Sequence, residues 1–163
     1  MDTGVTQITA GSGFTCAVKK SQLYCWGYHV DGRLGIGPYE QPRTAPVLVK
    51  AFEGKTVQKV DAAGAYACAI VDTSVYCWGR NDYGNIGNGT NAIQFSPVKL
   101  VGVDGAVDIN VMGTYDGGAA RMTSLAIIGK SLFSWGSGEY GQRADGTNTS
   151  TLAPSISPSY NFQ

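Results

Sequence analysis

The sequence predicts an all-β chain, a partial β-propeller of three four-stranded antiparallel blades. It would stand as an open arc or as half of a six-bladed ring made by two copies. Three observations predict this. The segments LYCWGYHVDGRLGIG (23–37), VYCWGRNDYGNIGNG (75–89) and LFSWGSGEYGQRADG (132–146) align without gaps, and self-similarity at a fixed period decides architecture before any local reading does. Between them run short β-branched or aromatic stretches punctuated by Gly, Asp and Ser, and no segment sustains a 3.6-residue apolar period over three turns. Glycine is abundant, 23 of 163 residues, as many tight turns between short strands require.

Each module reads as four strands: a stretch ending at Gly11, Gly64 or Gly113, a strand carrying the first Cys, a strand carrying Trp, and a strand after proline. The pairs Trp26-Gly27, Trp78-Gly79 and Trp135-Gly136 anchor the register. Six residues after each Trp comes Gly32, Gly84 or Gly141, and eleven after comes Gly37, Gly89 or Gly146. Pro46, Pro97 and Pro154 follow eight or nine residues later. The modules span 5–55, 56–104 and 105–157, followed by an irregular tail at 158–163, and together they form one domain. Each blade must bury its faces against neighbours, so three blades leave apolar end faces to be covered or capped.

The four cysteines are two copies of one spacing, Cys16/Cys25 and Cys68/Cys77. In hairpins centred on Lys19–Gln22 and Val71–Ser74 each pair would sit directly opposite, with Cβ atoms about 4.5–5.5 Å apart, near enough to bond after slight adjustment. Two hairpin disulfides are expected; the alternative is two pairs of buried free thiols kept by the repeat template. A zinc site is disfavoured, because the spacing is not C-x2-C, the pairs fall in different blades and the only histidine, His29, lies on another loop. Module three carries Leu125 and Ser134 instead, so the cysteines are lost as a pair. Disulfides persist in oxidising compartments, so an extracytoplasmic protein, secreted or at the cell surface, is expected. The chain opens with no basic-then-apolar leader and has no run of about 18 apolar residues, so any signal or anchor is expected outside it and no membrane insertion within it.

The run G-x-x-x-x-C-A-V…YCWG-x-x-x-x-G-x-(L/I)-G-x-G…P resembles the repeat of the regulator of chromosome condensation family, in its disulfide-containing bacterial or extracellular form. The resemblance covers about residues 5–157. The core WG-x4-G-x2-G recurs with Ala144 in place of the last glycine in the third copy alone. Phe14 and Tyr66 stand where that family often carries His. The resemblance implies propeller blades with diverse roles, among them nucleotide exchange on a small GTPase, chromatin contact and, in secreted relatives, enzyme inhibition. Fold alone does not choose among them.

Charge narrows the choice. Twelve basic and twelve acidic residues leave zero net charge, which argues against nucleic acid as partner, since that needs a concentrated basic surface. No convergent acid, base and nucleophile set is visible, so no enzyme and no cofactor is expected. His29 is expected exposed on its loop; Asp31, Asp82 and Glu139 on the post-Trp loops read as turn-capping or solvated carboxylates. NDYGNIGNGTN (81–91) lacks the ligand spacing of a calcium loop, and NGT (88–90) and NTS (148–150) match the glycosylation sequon. The modules differ most at TYDGGAARMT (114–123), where the third hairpin carries about seven or eight extra residues. Loops on rigid scaffolds carry function, so Tyr115, Asp116, Arg121 and Met122 are binding candidates. Tyr28, His29 and Tyr39, aromatic and histidine positions particular to module one, form a second group. The expected function is a non-catalytic, adhesion-like surface module binding a protein or glycan through blade loops. The alternatives are an inhibitor or regulator of an enzyme, or an intracellular nucleotide-exchange regulator.

Overall fold

A computed structural model describes residues 4–38, 41–113 and 121–158. It contains three four-stranded antiparallel sheets, each a run of consecutive strands. Blade 1 comprises β1 (Val5–Gly11), β2 (Phe14–Lys19), β3 (Gln22–Gly27) and β4 (Arg43–Leu48). Blade 2 comprises β5 (Val57–Ala63), β6 (Tyr66–Val71), β7 (Ser74–Gly79) and β8 (Gln94–Lys99). Blade 3 comprises β9 (Ala106–Gly113), β10 (Met122–Ile128), β11 (Ser131–Gly136) and β12 (Thr151–Ile156). Short 3-10 turns at Val30–Gly32 and Lys50–Phe52 lie between strands. The sheets do not close on themselves.

Local chemistry sets the hairpins. Lys20 and Ser21, and Asp72 and Thr73, all hold positive φ, the mirror-image turn whose twist suits a tight two-residue hairpin. That turn pairs Cys16 with Cys25 and Cys68 with Cys77. Both pairs are disulfides, with Cα atoms 4.1 Å apart.

The fourth strand departs from the expected start after proline: Pro46, Pro97 and Pro154 lie within β4, β8 and β12. These are the outer edge strands of their sheets, where a residue without an N–H forfeits no ladder bond.

The strands β1, β5 and β9 lie side by side and are sewn together by Asp61. Its carboxylate accepts from the Thr9 hydroxyl at 3.1 Å on one side and from the Val111 N–H at 2.8 Å on the other. Outward from that line the blades stack face on face around two apolar clusters. Phe14, Cys16, Val18, Leu23 and Cys25 of blade 1 meet Val60, Ala67, Ala69 and Trp78 of blade 2. Cys68, Ile70, Val75 and Cys77 of blade 2 meet Ile109, Ala126 and Trp135 of blade 3. Each disulfide therefore sits on the trailing face of its blade, turned to the blade that follows.

The tryptophans lock the stack. The Trp78 indole is buried and donates its N–H to the Arg33 carbonyl of blade 1 at 3.1 Å; Trp135 donates likewise to the Asn85 carbonyl of blade 2 at 2.9 Å. Each ring lies on a glycine of that preceding loop. A Cβ on Gly35 would stand 2.9 Å from the Trp78 ring, and one on Gly87 would stand 2.7 Å from that of Trp135. Trp26, with no blade before it among the described residues, is only half-buried.

Candidate functional site

Two kinds of loop share one edge of the arc: the turns joining the first two strands of each blade, and the segments following each Trp-Gly. In blades 1 and 2 the first kind has two residues, 12–13 and 64–65, and its backbone grips the second kind. The Tyr28 N–H donates to the Gly13 carbonyl at 2.8 Å, and the Arg80 N–H to the Ala65 carbonyl at 3.0 Å. In blade 3 the corresponding connection, between Gly113 and Met122, has eight residues, six more than in its sisters, and the Ser137 N–H donates to the Met122 carbonyl at 2.8 Å. The extra length anticipated from the sequence is thus fixed at this edge.

Across it runs a chain of charge. Asp31, at positive φ, lies 3.3 Å from the Arg33 guanidinium and 3.4 Å from that of Arg80 in the next blade. Arg80 also meets Asp82 at 2.5 Å. Arg33 is 2% exposed and donates to the Ser12 and Val30 carbonyls at 2.7 Å each. Its guanidinium also stacks 4.9 Å over the Tyr28 ring, a geometry favoured by the ring quadrupole. Asp31 therefore works as an interblade ion-pair partner, and Asp82, exposed to solvent, as an intraloop one.

The second cluster stands beside the longer connection. Arg121 meets Glu139 at 2.8 Å, donates to the Tyr140 hydroxyl at 2.6 Å and lies 5.1 Å over the Tyr140 ring. The Glu139 carboxylate, followed by Tyr140, raises the Arg121 guanidinium above its ordinary range, and Tyr83 of blade 2 adds to the effect. All three side chains reach solvent; Tyr140 is 72% exposed.

The structure sorts the sequence candidates. Tyr28 and Arg121 lie on this edge, exposed. Tyr39, Tyr115 and Asp116 lie outside the described residues. Met122 is corrected: it belongs to β10 and is fully buried, its side chain against Gly64 of blade 2, because the hairpin pairing extends one step to Gly113–Met122. His29 is corrected as well. Expected exposed, its ring is buried, with Nε2 3.0 Å from the Gly37 carbonyl. It occupies the place of Asn81, which braces the same loop in blade 2 through the Thr90 and Ala92 carbonyls. Burial lowers its pKa below the ordinary value, against the raising effect of the Gly37 bond. Tyr83 and Tyr140, which sequence reasoning missed, hold the position of Asp31 in the other two blades. The aligned modules carried that signal.

Among the described residues no group of three or more His, Cys, Asp or Glu side chains could hold a metal, and no helix is long and apolar enough to cross a membrane.

Comparison with known proteins gives a consistent picture. The model of the regulator of chromosome condensation (RCC1) repeat matches residues 20–70 and 72–111, more than half of the chain. The human E3 ubiquitin-protein ligase HERC2 is 28% identical over 150 residues, covering 90% of this chain and 3% of that protein. The ultraviolet-B receptor UVR8 of Arabidopsis thaliana is 28% identical over 153 residues, covering 92% of this chain and 33% of the receptor. Among solved structures, human WBSCR16 superposes with a TM-score of 0.79 at 22% identity, over 94% of this chain and 38% of that one. Prp20p of Saccharomyces cerevisiae, in a structure titled also for its binding to Gsp1p and histones, gives 0.79 at 19% identity, over 98% and 39%. The chain thus spans a third or less of these sequence relatives.

Proposed function

Because this chain belongs to the regulator of chromosome condensation (RCC1) repeat family, we propose that it is a non-catalytic binding module that engages a protein or glycan through the loop edge of its blades, outside the cytoplasm, in an adhesion-like role. The observation that carries this reading is the Arg121–Glu139–Tyr140 cluster at the foot of the longer third connection. It is exposed, aromatic and of mixed charge, held on a rigid scaffold. Tyr gives large contact area for little lost rotamer freedom, and both Tyr and Arg are enriched where interfaces carry their energy. Yeast RCC1, a structural neighbour, has been solved with Kap60 bound, so the fold presents surfaces to protein partners.

The two disulfides support the location, since such bonds persist where the environment is oxidising. Four free thiols in protein purified natively from its source, seen by mass spectrometry after alkylation, would remove that support. The binding reading is tested by capture from cell-surface extracts, comparing wild type with Arg121→Ala/Tyr140→Ala and with residues 115–120 deleted. Loss of a specifically retained species by tenfold or more in both variants is expected; retention unchanged in both would discard the edge as the site.

A further inference from the structure

We propose that the outer groove between blades 1 and 2 is a second binding site, and that it takes an extended acidic peptide segment of a partner protein. The groove occurs at both joints. At each, the fourth strand of one blade, the loop after its Trp-Gly pair and the fourth strand of the next blade enclose it. The first has a volume of about 540 Å³ and the second of about 400 Å³, the range of ordinary ligand sites. The groove itself therefore belongs to the repeat. Its chemistry does not repeat.

Strand register aligns the two. Arg43 stands opposite Gly27, and Gln94 opposite Gly79. Lys50 and Val101 each lie two residues past the end of the fourth strand. Ser96 of β8 and Ala153 of β12 each precede the strand proline. The first groove thus has Arg43, Lys50 and Ser96 where the second has Gln94, Val101 and Ala153. Two of these exchanges add a positive charge and the third a hydroxyl, all at one joint. Among the described residues no acidic side chain lines the first groove. Lys99, the one cation lining the second, is paired with Asp104 at 3.0 Å. Residues 5–55 also hold six of the 12 basic residues and three of the 12 acidic ones, so the positive excess of a neutral chain sits on the blade that supplies both cations.

The layout defines the occupant. β4 runs extended from Arg43 to Leu48, so at roughly 3.3 Å per residue Arg43 and Lys50 stand at opposite ends of the groove. Val47 and Leu48 lie between them in the chain, and Ile36 adds to the apolar lining. A compact anion meets only one end. In an extended peptide, acidic residues at i and i+4 and an apolar residue at i+2 share one face, the acids about 13 Å apart. Two long cationic side chains can close on that span. Pro46 removes an N–H from the open edge of β4, so recognition falls to side chains rather than to an added strand.

The test is an NMR titration of the full chain with the terminally blocked peptide Glu-Ser-Leu-Ser-Glu and with its uncharged twin Gln-Ser-Leu-Ser-Gln. The acidic peptide is expected to shift the signals of residues 35–36 and 43–51 saturably. It should bind about fivefold more tightly than the twin and release as salt is raised toward about 1 M. Arg43→Gln with Lys50→Val installs what the second groove already carries; it should weaken binding about fivefold and leave the melting midpoint in place. The reverse exchange, Gln94→Arg with Val101→Lys, should create a second site at the joint of blades 2 and 3. Equal binding of the two peptides, or binding that the first double variant leaves unchanged, overturns the proposal. Inorganic phosphate that displaces the peptide at equal concentration would show a bare anion site and overturn the class of partner. Should the double variant not fold, Lys50→Gln alone, at an exposed position, decides by the same titration. The groove shares no residue with the Arg121–Glu139–Tyr140 cluster, so either result leaves the capture assay there independent.

Discussion

Gly87 carries the buried indole of Trp135 on a backbone at φ +85, so an added methyl group meets both a ring 2.7 Å away and an unfavourable conformation. Gly87→Ala is expected to cost about 2–3 kcal/mol, from overpacking and left-handed strain together. Ala144→Gly, at the equivalent place with no indole upon it, should stay within about 1 kcal/mol of wild type. Calorimetric melting of both variants checks the contrast, and equal costs would deny that the indole is what selects glycine. His29 gives a residue-scale test in pH. Its folded pKa is lowered by burial, so on acidification the unfolded chain takes the proton first. The stability involved is whole above the unfolded value of about 6.5 and is lost as pH falls below it. His29→Asn, which installs the side chain that braces blade 2, should flatten the decline of the melting midpoint between about pH 6.5 and 5. An unchanged slope would mean the ring is not held neutral.

At the scale of the element, hairpins and disulfides were legible because they are local. A nine-residue spacing and a two-residue turn fix which cysteines face each other. The fourth strand was misplaced by a few residues, since proline signals an edge strand as readily as a strand boundary. Both disulfides are fully buried between blades, so a reductant cannot reach them without opening a joint. Native protein in reductant should keep both bonds, as read by alkylation and mass, until denaturant or heat unfolds it. Replacing Cys68 and Cys77 by Ala should lower stability by about 2–3 kcal/mol, the expectation for so short a loop. Ready reduction in the native state would contradict the buried placement.

For the whole molecule the stacking order matters. Blade 2 is covered on both faces, whereas among the described residues blade 1 leaves its leading face open and blade 3 its trailing face. Amide exchange should therefore be slowest in β6 and β7 and faster in β2, β3 and β11; uniform protection would argue for one indivisible cooperative unit. The repeat showed in the sequence the number of blades and the longer third connection. It could not show which blade each tryptophan enters, because that contact joins residues some fifty positions apart. Nor could it show that the Arg143 side chain folds inward to Asp145, Thr149 and Ser155 or that His29 is sealed, since a charged or titratable residue in a loop ordinarily faces water.

The backward reach of each indole into the preceding loop gives the arc a direction of growth. Blade 2 carries both halves of the fastening, Trp78 for the module before it and Gly87 for the one after. A gene segment encoding residues 56–104 could thus be duplicated in tandem and each new copy would fit its neighbours on both sides. A duplicated third module would set its own tryptophan upon Ala144. Lengthening by repetition is open to the middle of this molecule, whereas at its third blade it meets a methyl group in the place of the glycine.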